Sequence, residues 1–269
     1  KMYKLKGTHS IKIILMVSLL LAILFLAVGC DNMLSEMFNK DEVIEGTIEK
    51  SIDDISNIST VDVEVDIGDI DISYGIDDFV IKADYTIKSK TKIDMTEIID
   101  QIEIQSIVKD ENLKINIVKK DDESNLWDWI NENYKDLDFY VNLDILVPKK
   151  TNKFTLYSHL GDINLNCING EIIAKTDLGD IIADKVRFNG KCFIQSGMGD
   201  IECKLGPTIN KDCKVNIYTS MGDIIINSNK QNYKTIDTYE KMMSIKETIL
   251  VDDLCTITAE TCMGDLTFK

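Results

Sequence analysis

One short pattern recurs six times in this chain and constrains its fold more than any other feature. Each copy is an alternating stretch, a Gly-Asp pair and a second alternating stretch, as in EIIAKTDLGDIIA. The glycines of the six pairs are Gly68, Gly161, Gly179, Gly199, Gly222 and Gly264. Side-chain character alternates with a period of two on both sides of each pair, which predicts strand, turn and strand with one buried face.

Six columns of the aligned copies are predicted to point inward. In the copy around Gly179 these positions are Ile172, Ala174, Thr176, Leu178, Ile181 and Ala183. The glycines from Gly161 to Gly222 recur every 18 to 23 residues, with further turn signals at Asn169-Gly170 and Asn189-Gly190. A period near 20 residues is typical of a solenoid. We therefore predict an all-β fold, a β-solenoid of stacked two-strand rungs with a short helical insertion.

The aspartates of the Gly-Asp pairs form a column of like charge. In the regular part of the chain they are Asp162, Asp180, Asp200 and Asp223. Neighbouring rungs lie about 4.8 Å apart, and two carboxylates at that spacing repel by ~1 kcal/mol in water. We expect each carboxylate to accept a hydrogen bond from a backbone N–H of its own turn. The alternative is calcium between rungs, but the calcium-binding solenoid repeat has extra glycines and a later aspartate that this chain lacks, so no metal site is assigned.

The first residues predict export and lipid attachment. Four lysines precede the apolar run 13–28, which fits the apolar part of a secretory signal. The segment Leu26 to Cys30 reads LAVGC and resembles a bacterial lipobox. That resemblance implies cleavage before Cys30, a diacylglycerol on its sulfur and an extracytoplasmic, membrane-anchored protein. The alternative is a plain N-terminal anchor helix.

The chain is predicted to divide into four parts. We expect a signal peptide at 1–29, a tether at 30–45, an irregular β region at 46–147 and regular solenoid repeats at 148–269. The irregular region contains a predicted short helix at 94–100 and one Gly-Asp copy. It is predicted to start the same stack, with a separate small β domain as the alternative. Residues 233–248 have no Gly-Asp pair and are predicted to be a degenerate rung or a loop.

Residues 124–138 give the clearest helix, with Ser124 as its predicted N-cap. Its apolar face comprises Leu126, Ile130, Tyr134 and Leu137. Both tryptophans of the chain, Trp127 and Trp129, lie on it. They are candidate ligand-binding residues, because aromatic rings can stack on sugars. We favour a structural interpretation in which this helix covers part of the stack and buries them.

Charge and motif content disfavour several classes of partner and function. A net charge of −16 disfavours nucleic acid and anionic lipid as partners. Beyond the signal the chain has one histidine, His159, predicted to lie on the surface, and it has no nucleophile elbow, P-loop, dinucleotide fingerprint or zinc spacing. We therefore expect no enzyme activity and no cofactor besides the diacylglycerol.

The cysteines fit a structural role. Cys192 and Cys203 fall in inward columns, Cys213 and Cys255 share one register, Cys262 is predicted to point outward and Cys167 lies near a turn. Their disulfide state is open at this point, since six cysteines allow many pairings.

The repeated Leu/Met-Gly-Asp-Ile pattern, preceded by Ile145-Leu146-Val147-Pro148-Lys149, resembles a widespread bacterial family of unknown function. Its members are described as candidate adhesins with β-strand repeats, and some are encoded near envelope-stress genes in Gram-positive bacteria. The resemblance covers residues 61–268 and implies a β-solenoid at the cell surface with no assigned catalytic residues. The irregular stretch 74–143 departs from the family pattern.

Taken together, these patterns lead us to expect a lipid-anchored binding or scaffold module of the cell envelope, with an envelope protein or a glycan as partner. One alternative is a surface adhesin for glycan or wall polymer. Another is a β-helix enzyme that acts on polysaccharide through a carboxylate pair.

Overall fold

Strands dominate the part of the chain that the structure describes. The computed structural model describes residues 42–52, 57–76, 79–91, 93–206, 213–228, 233–241, 244–251 and 255–269. The two helices of these ranges are α1 (Thr96–Gln101) and α2 (Leu126–Asn133). The strands are β1 (Glu42–Ser51), β2 (Thr60–Ile67), β3 (Ile70–Tyr74), β4 (Val80–Ser89), β5 (Ile102–Lys109), β6 (Asn112–Lys119), β7 (Leu137–Val147), β8 (Lys153–Leu160), β9 (Ile163–Asn166), β10 (Asn169–Leu178), β11 (Ile181–Phe188), β12 (Lys191–Met198), β13 (Ile201–Leu205), β14 (Cys213–Met221), β15 (Ile224–Ser228), β16 (Tyr233–Lys241), β17 (Ser244–Val251), β18 (Cys255–Met263) and β19 (Leu266–Phe268).

The signal peptide 1–29, Cys30 and most of the predicted tether lie outside the described residues. β1 begins at Glu42, inside the segment expected to be the end of the tether. No helix in the described ranges is long and apolar enough to cross a membrane.

Two ladders of strands form the stack. The first sheet runs β5-β6-β2-β8-β10-β12-β14-β18-β17-β16, and every pair from β6 to β18 is parallel. The second sheet runs β1-β4-β7-β3-β9-β11-β13-β15-β19, parallel from β7 to β19. Each rung contributes one strand to each sheet, and in the six rungs that contain a Gly-Asp pair this turn joins the two strands. The predicted β-solenoid of two-strand rungs is therefore confirmed.

The order of rungs in the stack differs from their order in the chain. The upstream copy, β2 and β3, lies between the rung of β6 and β7 and the rung of β8 and β9. The irregular region thus continues the stack of the regular repeats, as predicted. In the rung of β6 and β7, helix α2 takes the place of the Gly-Asp turn.

Antiparallel strands cover both ends of the first sheet. β5 pairs with β6 through a hairpin that turns at Asp110, and at the other end β17 pairs with β18 and β16 with β17. The prediction for 233–248 is wrong, because these residues belong to a β-hairpin instead of a rung or a loop. Reversing the strand direction ends the parallel register and so limits further stacking.

A third ladder is only two residues long and joins the two sheets. Asn169 and Gly170 pair with Arg187 and Phe188. Asn169-Gly170, predicted to be a turn, is therefore the start of β10; the positive φ of 55° lies at Cys167 instead. Gly190, with a φ of 64°, does form the turn predicted at Asn189-Gly190.

The core lies between the two sheets and is built from five of the six predicted columns. In the copies from Gly68 to Gly222 these side chains are at most 2% exposed. The sixth column, one residue before glycine, was predicted to point inward, and this prediction is wrong for five copies. Leu160, Leu178, Met198, Met221 and Met263 are between 39% and 47% exposed.

Both predicted helices are present but shorter or shifted. α1 covers Thr96–Gln101 and buries Ile98. α2 ends at Asn133, so Leu137 lies in β7 instead of on the helix. Its N-cap is Asn125, whose side chain accepts from the N–H of Asp128 at 2.9 Å. The predicted cap, Ser124, instead donates its hydroxyl hydrogen to Asp122 at 2.6 Å.

Candidate binding surface at the Gly-Asp edge

The six Gly-Asp turns line up along one edge of the stack. We call this the turn edge and define it as residues 66–69, 159–162, 177–180, 197–200, 220–223 and 262–265. Its glycines have φ values between 146° and 154°. A Cβ at Gly161 would lie 2.1 Å from the carbonyl oxygen of Gly68 on the neighbouring rung. Only glycine therefore permits both the backbone conformation and the close approach of rungs.

Four hydrogen bonds join each turn to the next. At one junction the N–H of Gly161 donates to the carbonyl of Leu178, and the N–H of Ile163 donates to the carbonyl of Asp180, both at 2.9 Å. In the opposite direction, the hydroxyl of Thr176 donates to the carbonyl of Gly161 at 2.8 Å. The fourth bond runs from the N–H of Asp180 to Oδ1 of Asp162 at 2.7 Å. The same set recurs at every junction from Gly68 to Gly264.

The aspartate column has a different role from the predicted one. Asp162, Asp180, Asp200 and Asp223 were expected to accept from their own turns, which is wrong. Each accepts instead from the backbone N–H of the aspartate on the next rung, at 2.7 Å. A carboxylate that accepts from N–H forms a bond stronger than a neutral one, and this offsets the repulsion between neighbouring charges.

The row begins at Asn142, whose Oδ1 accepts from the N–H of Asp69 at 2.9 Å. Asn142 belongs to the rung with α2, so an amide oxygen replaces the carboxylate there. Within the described ranges, no group of three or more His, Cys, Asp or Glu side chains is arranged to hold a metal ion.

The exposed column beside the glycines forms a continuous apolar strip. We call Leu160, Leu178, Met198, Met221 and Met263 the apolar ridge. Consecutive members belong to paired strands of the first sheet and are in register. Ile67, at the same position in the copy around Gly68, is half-buried. The alternating pattern contains this column but predicts that it is buried, so its exposure is visible only in the structure.

The turn edge is uniformly acidic. Its 24 positions include eight aspartates and neither lysine nor arginine. The aspartates are Asp66, Asp69, Asp162, Asp177, Asp180, Asp200, Asp223 and Asp265. One row of aspartates, one from each Gly-Asp pair, therefore follows the apolar ridge along its whole length, and on the other side of the ridge only Asp66 and Asp177 are acidic.

The two tryptophans of α2 occupy different environments. Trp127 is only 5% exposed; its ring packs on Phe139 at 5.6 Å between centroids, and its Nε1 donates to the carbonyl of Phe139 at 3.3 Å. Trp129 is half-buried, in an edge contact with Tyr134 at 5.5 Å and with the Lys119 ammonium 5.8 Å from its ring centre. Trp127 thus belongs to the core, as the covering interpretation predicts, and only Trp129 keeps ring surface for a ligand.

His159 lies on the outer face of the first sheet, as predicted, within a cluster of hydrogen bonds. The Tyr157 hydroxyl donates to Oδ2 of Asp177 at 2.8 Å, and Nδ1 of His159 lies 2.9 Å from the same oxygen. Nε2 of His159 is 3.7 Å from Oδ1 of Asp66. The hydrogen bonds from Tyr157 and then His159 lower the pKa of Asp177. The cluster therefore links the side chains of three neighbouring strands.

Further aromatic side chains lie on the same outer face. Phe193 is half-exposed beneath the ammonium of Lys175, 5.1 Å from its ring centre. Tyr218 is also half-exposed, with its hydroxyl 3.4 Å from Sγ of Cys262. Ile173, which pairs with Phe193 across β10 and β12, is 36% exposed. This face can offer ring surfaces next to polar groups.

All six described cysteines are free thiols. Cys213 and Cys255 are paired across β14 and β18, as their shared register suggested, and both are buried. The hydrogen bond to Cys255 and then burial raise the pKa of Cys213. Burial raises the pKa of Cys192 to about 11 and that of Cys203 to about 12. Cys167 is exposed and Cys262 is half-exposed toward Tyr218.

Comparison with known proteins gives limited similarity. No family model matches the chain, and no curated protein matches it. Among solved structures, a candidate cell adhesion protein from Clostridium sporogenes is similar at 13% identity and a TM-score of 0.41, over 84% of this chain and 99% of the other. A candidate adhesin from Bacteroides fragilis is similar at 12% identity and a TM-score of 0.35, over 86% and 99%. At these values the similarity assigns neither a family nor a function to the chain.

Proposed function

We propose that the chain is a lipid-anchored, extracytoplasmic binding or scaffold module of the cell envelope that acts without catalysis. The observation that carries this proposal is the apolar ridge: five large apolar side chains in register, each more than a third exposed, along one edge. Contiguous exposed apolar side chains bordered by polar groups are typical of protein interaction sites.

The architecture suits binding because it holds the ridge in place before a partner arrives. Each turn is joined to its neighbour by four hydrogen bonds that use backbone groups, buried hydroxyls and the aspartate carboxylates. A surface that is already ordered loses little conformational entropy on binding. The ridge side chains take no part in these bonds and are therefore available for contact.

The anchor and location rest on the lipobox-like sequence that ends at Cys30. The resemblance to the adhesin-like family adds a proposed link with envelope stress. Together they support a location on the outer side of a bacterial membrane, and the proposed partner is an envelope protein.

Affinity capture from native membranes tests this function. Full-length chain with a C-terminal tag is compared with Cys30→Ala and with the ridge variant Met198→Gln/Met221→Gln. We expect one envelope protein that is captured by the unchanged chain and lost in both variants. A matched variant, Ile182→Gln/Ile225→Gln, alters apolar side chains on the outer face of the second sheet and should retain the partner. Capture that is independent of the ridge would contradict the proposal.

A second candidate function is a surface adhesin for glycan or wall polymer. The half-exposed rings of Phe193, Tyr218 and Trp129 favour it, because aromatic rings provide large amphipathic contact surfaces. Sedimentation of the full chain with purified wall polymer tests this function. Binding that is lost in Phe193→Ala and kept in the ridge variant would support the adhesin and set the protein partner aside.

A further inference from the structure

The ridge position is apolar in all six copies although its side chain is exposed in five of them. The inward columns of the copies from Gly68 to Gly222 are at most 2% exposed, whereas the five ridge side chains are between 39% and 47% exposed. At this position the backbone carbonyl accepts the N–H of a glycine on the neighbouring rung. Any non-proline residue can supply that carbonyl, so the hydrogen-bond ladder does not require Leu or Met here.

Three of the five ridge residues are methionines, and they follow one another at Met198, Met221 and Met263. Methionine has a flexible, polarisable side chain and is common on surfaces that adapt to a bound apolar segment. The ridge is thus more suited to contact with a packed apolar face than to contact with water.

The length of the ridge fits a short helix. Neighbouring rungs are about 4.8 Å apart, so the five side chains extend over roughly 19 Å. A helix rises about 1.5 Å per residue and returns to the same face about every 5.4 Å, so about 13 residues match this length. Apolar side chains at successive turns of such a helix would therefore lie along the ridge.

The charge of the turn edge restricts the partner. Eight aspartates and no lysine or arginine occupy its 24 positions. A second copy that docks through the same edge would bring two acidic rows together, and an anionic bilayer surface would be repelled in the same way. A partner with an apolar face bordered by lysine or arginine is complementary to both the ridge and the row of aspartates beside it.

We infer that the turn edge binds a cationic amphipathic helix of a partner protein, with its apolar face on the ridge and its basic side chains against the aspartates. This inference rests on the proposed function, since it names the chemistry of the partner. The helix axis follows the stack, because the pitch of a helix, about 5.4 Å, is close to the rung spacing of about 4.8 Å.

A synthetic helix tests the inference. The probe is a photoreactive 14-residue peptide of leucine and lysine with one apolar face. The receptor is the full lipidated chain in nanodiscs of neutral phosphatidylcholine, with empty nanodiscs as the control for lipid binding. A peptide of the same composition in scrambled order tests charge attraction alone, and a leucine and glutamate version tests the sign of the charge. The readout is the concentration dependence of crosslinking, with the crosslinked residues mapped by mass spectrometry.

We expect crosslinks at the ridge with the amphipathic peptide, binding weakened about tenfold or more by Met198→Gln/Met221→Gln, and no such loss in Ile182→Gln/Ile225→Gln. The glutamate peptide should not bind. Circular dichroism confirms that each variant is folded. Equal binding of the scrambled peptide, or binding that ignores the ridge variant, would overturn the inference.

The two proposals can fail separately. If native membranes yield a ridge-dependent partner while the leucine and lysine peptide does not bind, the helix inference is wrong and the proposed function stands. If membranes yield no ridge-dependent partner, the proposed function is wrong whatever the peptide does.

Discussion

The backbone N–H of Asp180 donates a 2.7 Å hydrogen bond to Oδ1 of Asp162 on the adjacent rung. The same relationship links Asp69 to Asp162, Asp180 to Asp200, Asp200 to Asp223 and Asp223 to Asp265. Like-charged side chains are thereby placed in a row that holds the rungs in register. A slip of one residue would remove the carboxylate from its donor and place a side chain where only glycine fits.

Loss of one carboxylate from this row should destabilise the stack. In Asp180→Ala the N–H of Asp200 loses its partner, and we expect a cost of about 1–3 kcal/mol in the free energy of unfolding. Asp180→Asn keeps an oxygen acceptor and should cost less. Asp265→Ala is the control, since its carboxylate faces no further rung in the described part of the chain. Denaturant unfolding measures all three, and an equal effect of the alanine change at 180 and 265 would contradict the ladder.

Alanine in place of a turn glycine should lower the stability of the protein more than the addition of one methyl group suggests. In Gly199→Ala the Cβ would lie 2.1 Å from the carbonyl oxygen of Gly179, at a φ of 151°. We expect a loss of about 3 kcal/mol or more. Gly190 also has a positive φ, but its nearest neighbour would be 4.0 Å away, so Gly190→Ala should cost only about 1 kcal/mol. Thermal unfolding compares them, and similar losses would show that crowding between rungs is unimportant.

Removal of the Trp127 ring should destabilise the protein more than removal of the Trp129 ring, because only Trp127 belongs to the core. Trp127→Ala deletes a buried ring and its hydrogen bond to Phe139, and we expect a cost of about 3–5 kcal/mol. Trp129→Ala removes a half-buried ring and should cost clearly less. The free energy of unfolding of each variant is the measurement. A larger loss for Trp129 would contradict the placement of these residues.

The Asp177 cluster predicts a defined pH response. Hydrogen bonds from Tyr157 and then His159 lower the pKa of Asp177 below its ordinary value. A lowered folded-state pKa means that the contribution to stability is present above the unfolded pKa and is lost as the pH falls through the folded one. Tyr157→Phe should therefore raise the pKa of Asp177 toward 3.8. Carboxyl NMR titration measures it, and an unchanged pKa in the variant would show that the tyrosine bond is unimportant.

Calcium should leave stability unchanged. The ladder carboxylates already accept backbone N–H groups, and a cation between rungs would compete with those donors. We expect the same melting temperature in chelator and in millimolar calcium. A rise with calcium that disappears in Asp180→Asn would establish the cation site that the sequence left as an alternative.

The sequence predicted the repeating unit well because its alternation has a direct physical cause. Columns such as Ile172, Ala174 and Ile181 are apolar because they are buried, and the small column at Thr176 is small because its hydroxyl reaches the glycine carbonyl of the next rung. The glycine column follows from close backbone approach. These features depend on each rung and its neighbour, and every rung repeats them.

The alternation misassigned the ridge because it was extended into the turn. Between β10 and β8, Thr176 pairs with Ser158 and Leu178 with Leu160, but the intervening Asp177 and His159 have no ladder pair. Asp177 and Leu178 are both exposed, so the alternation of inward and outward side chains ends at this break and Leu178 lies outward despite its even spacing from Thr176. Chemical character alone cannot distinguish an apolar residue of the core from one of an exposed interaction surface.

Relationships between rungs were also hidden in the sequence. Spacing along the chain does not reveal that an aspartate reaches the N–H of the next rung, nor that β2 and β3 insert between two later rungs.

The helix cap differed from the prediction by one residue, because two neighbouring residues can each serve as the cap. Ser124 and Asn125 are both good caps, and Asp122 binds the hydroxyl of Ser124.

Photocrosslinking from the ridge in native membranes tests the central claim most directly. A photoreactive residue is placed at Met198 in the full-length chain, and at Ile182 as the matched position, since both are exposed apolar side chains on different faces. The account predicts one dominant crosslinked envelope protein from position 198, absent from position 182. Equal products from both positions, or none from position 198, would contradict the claim that the turn edge is a binding surface.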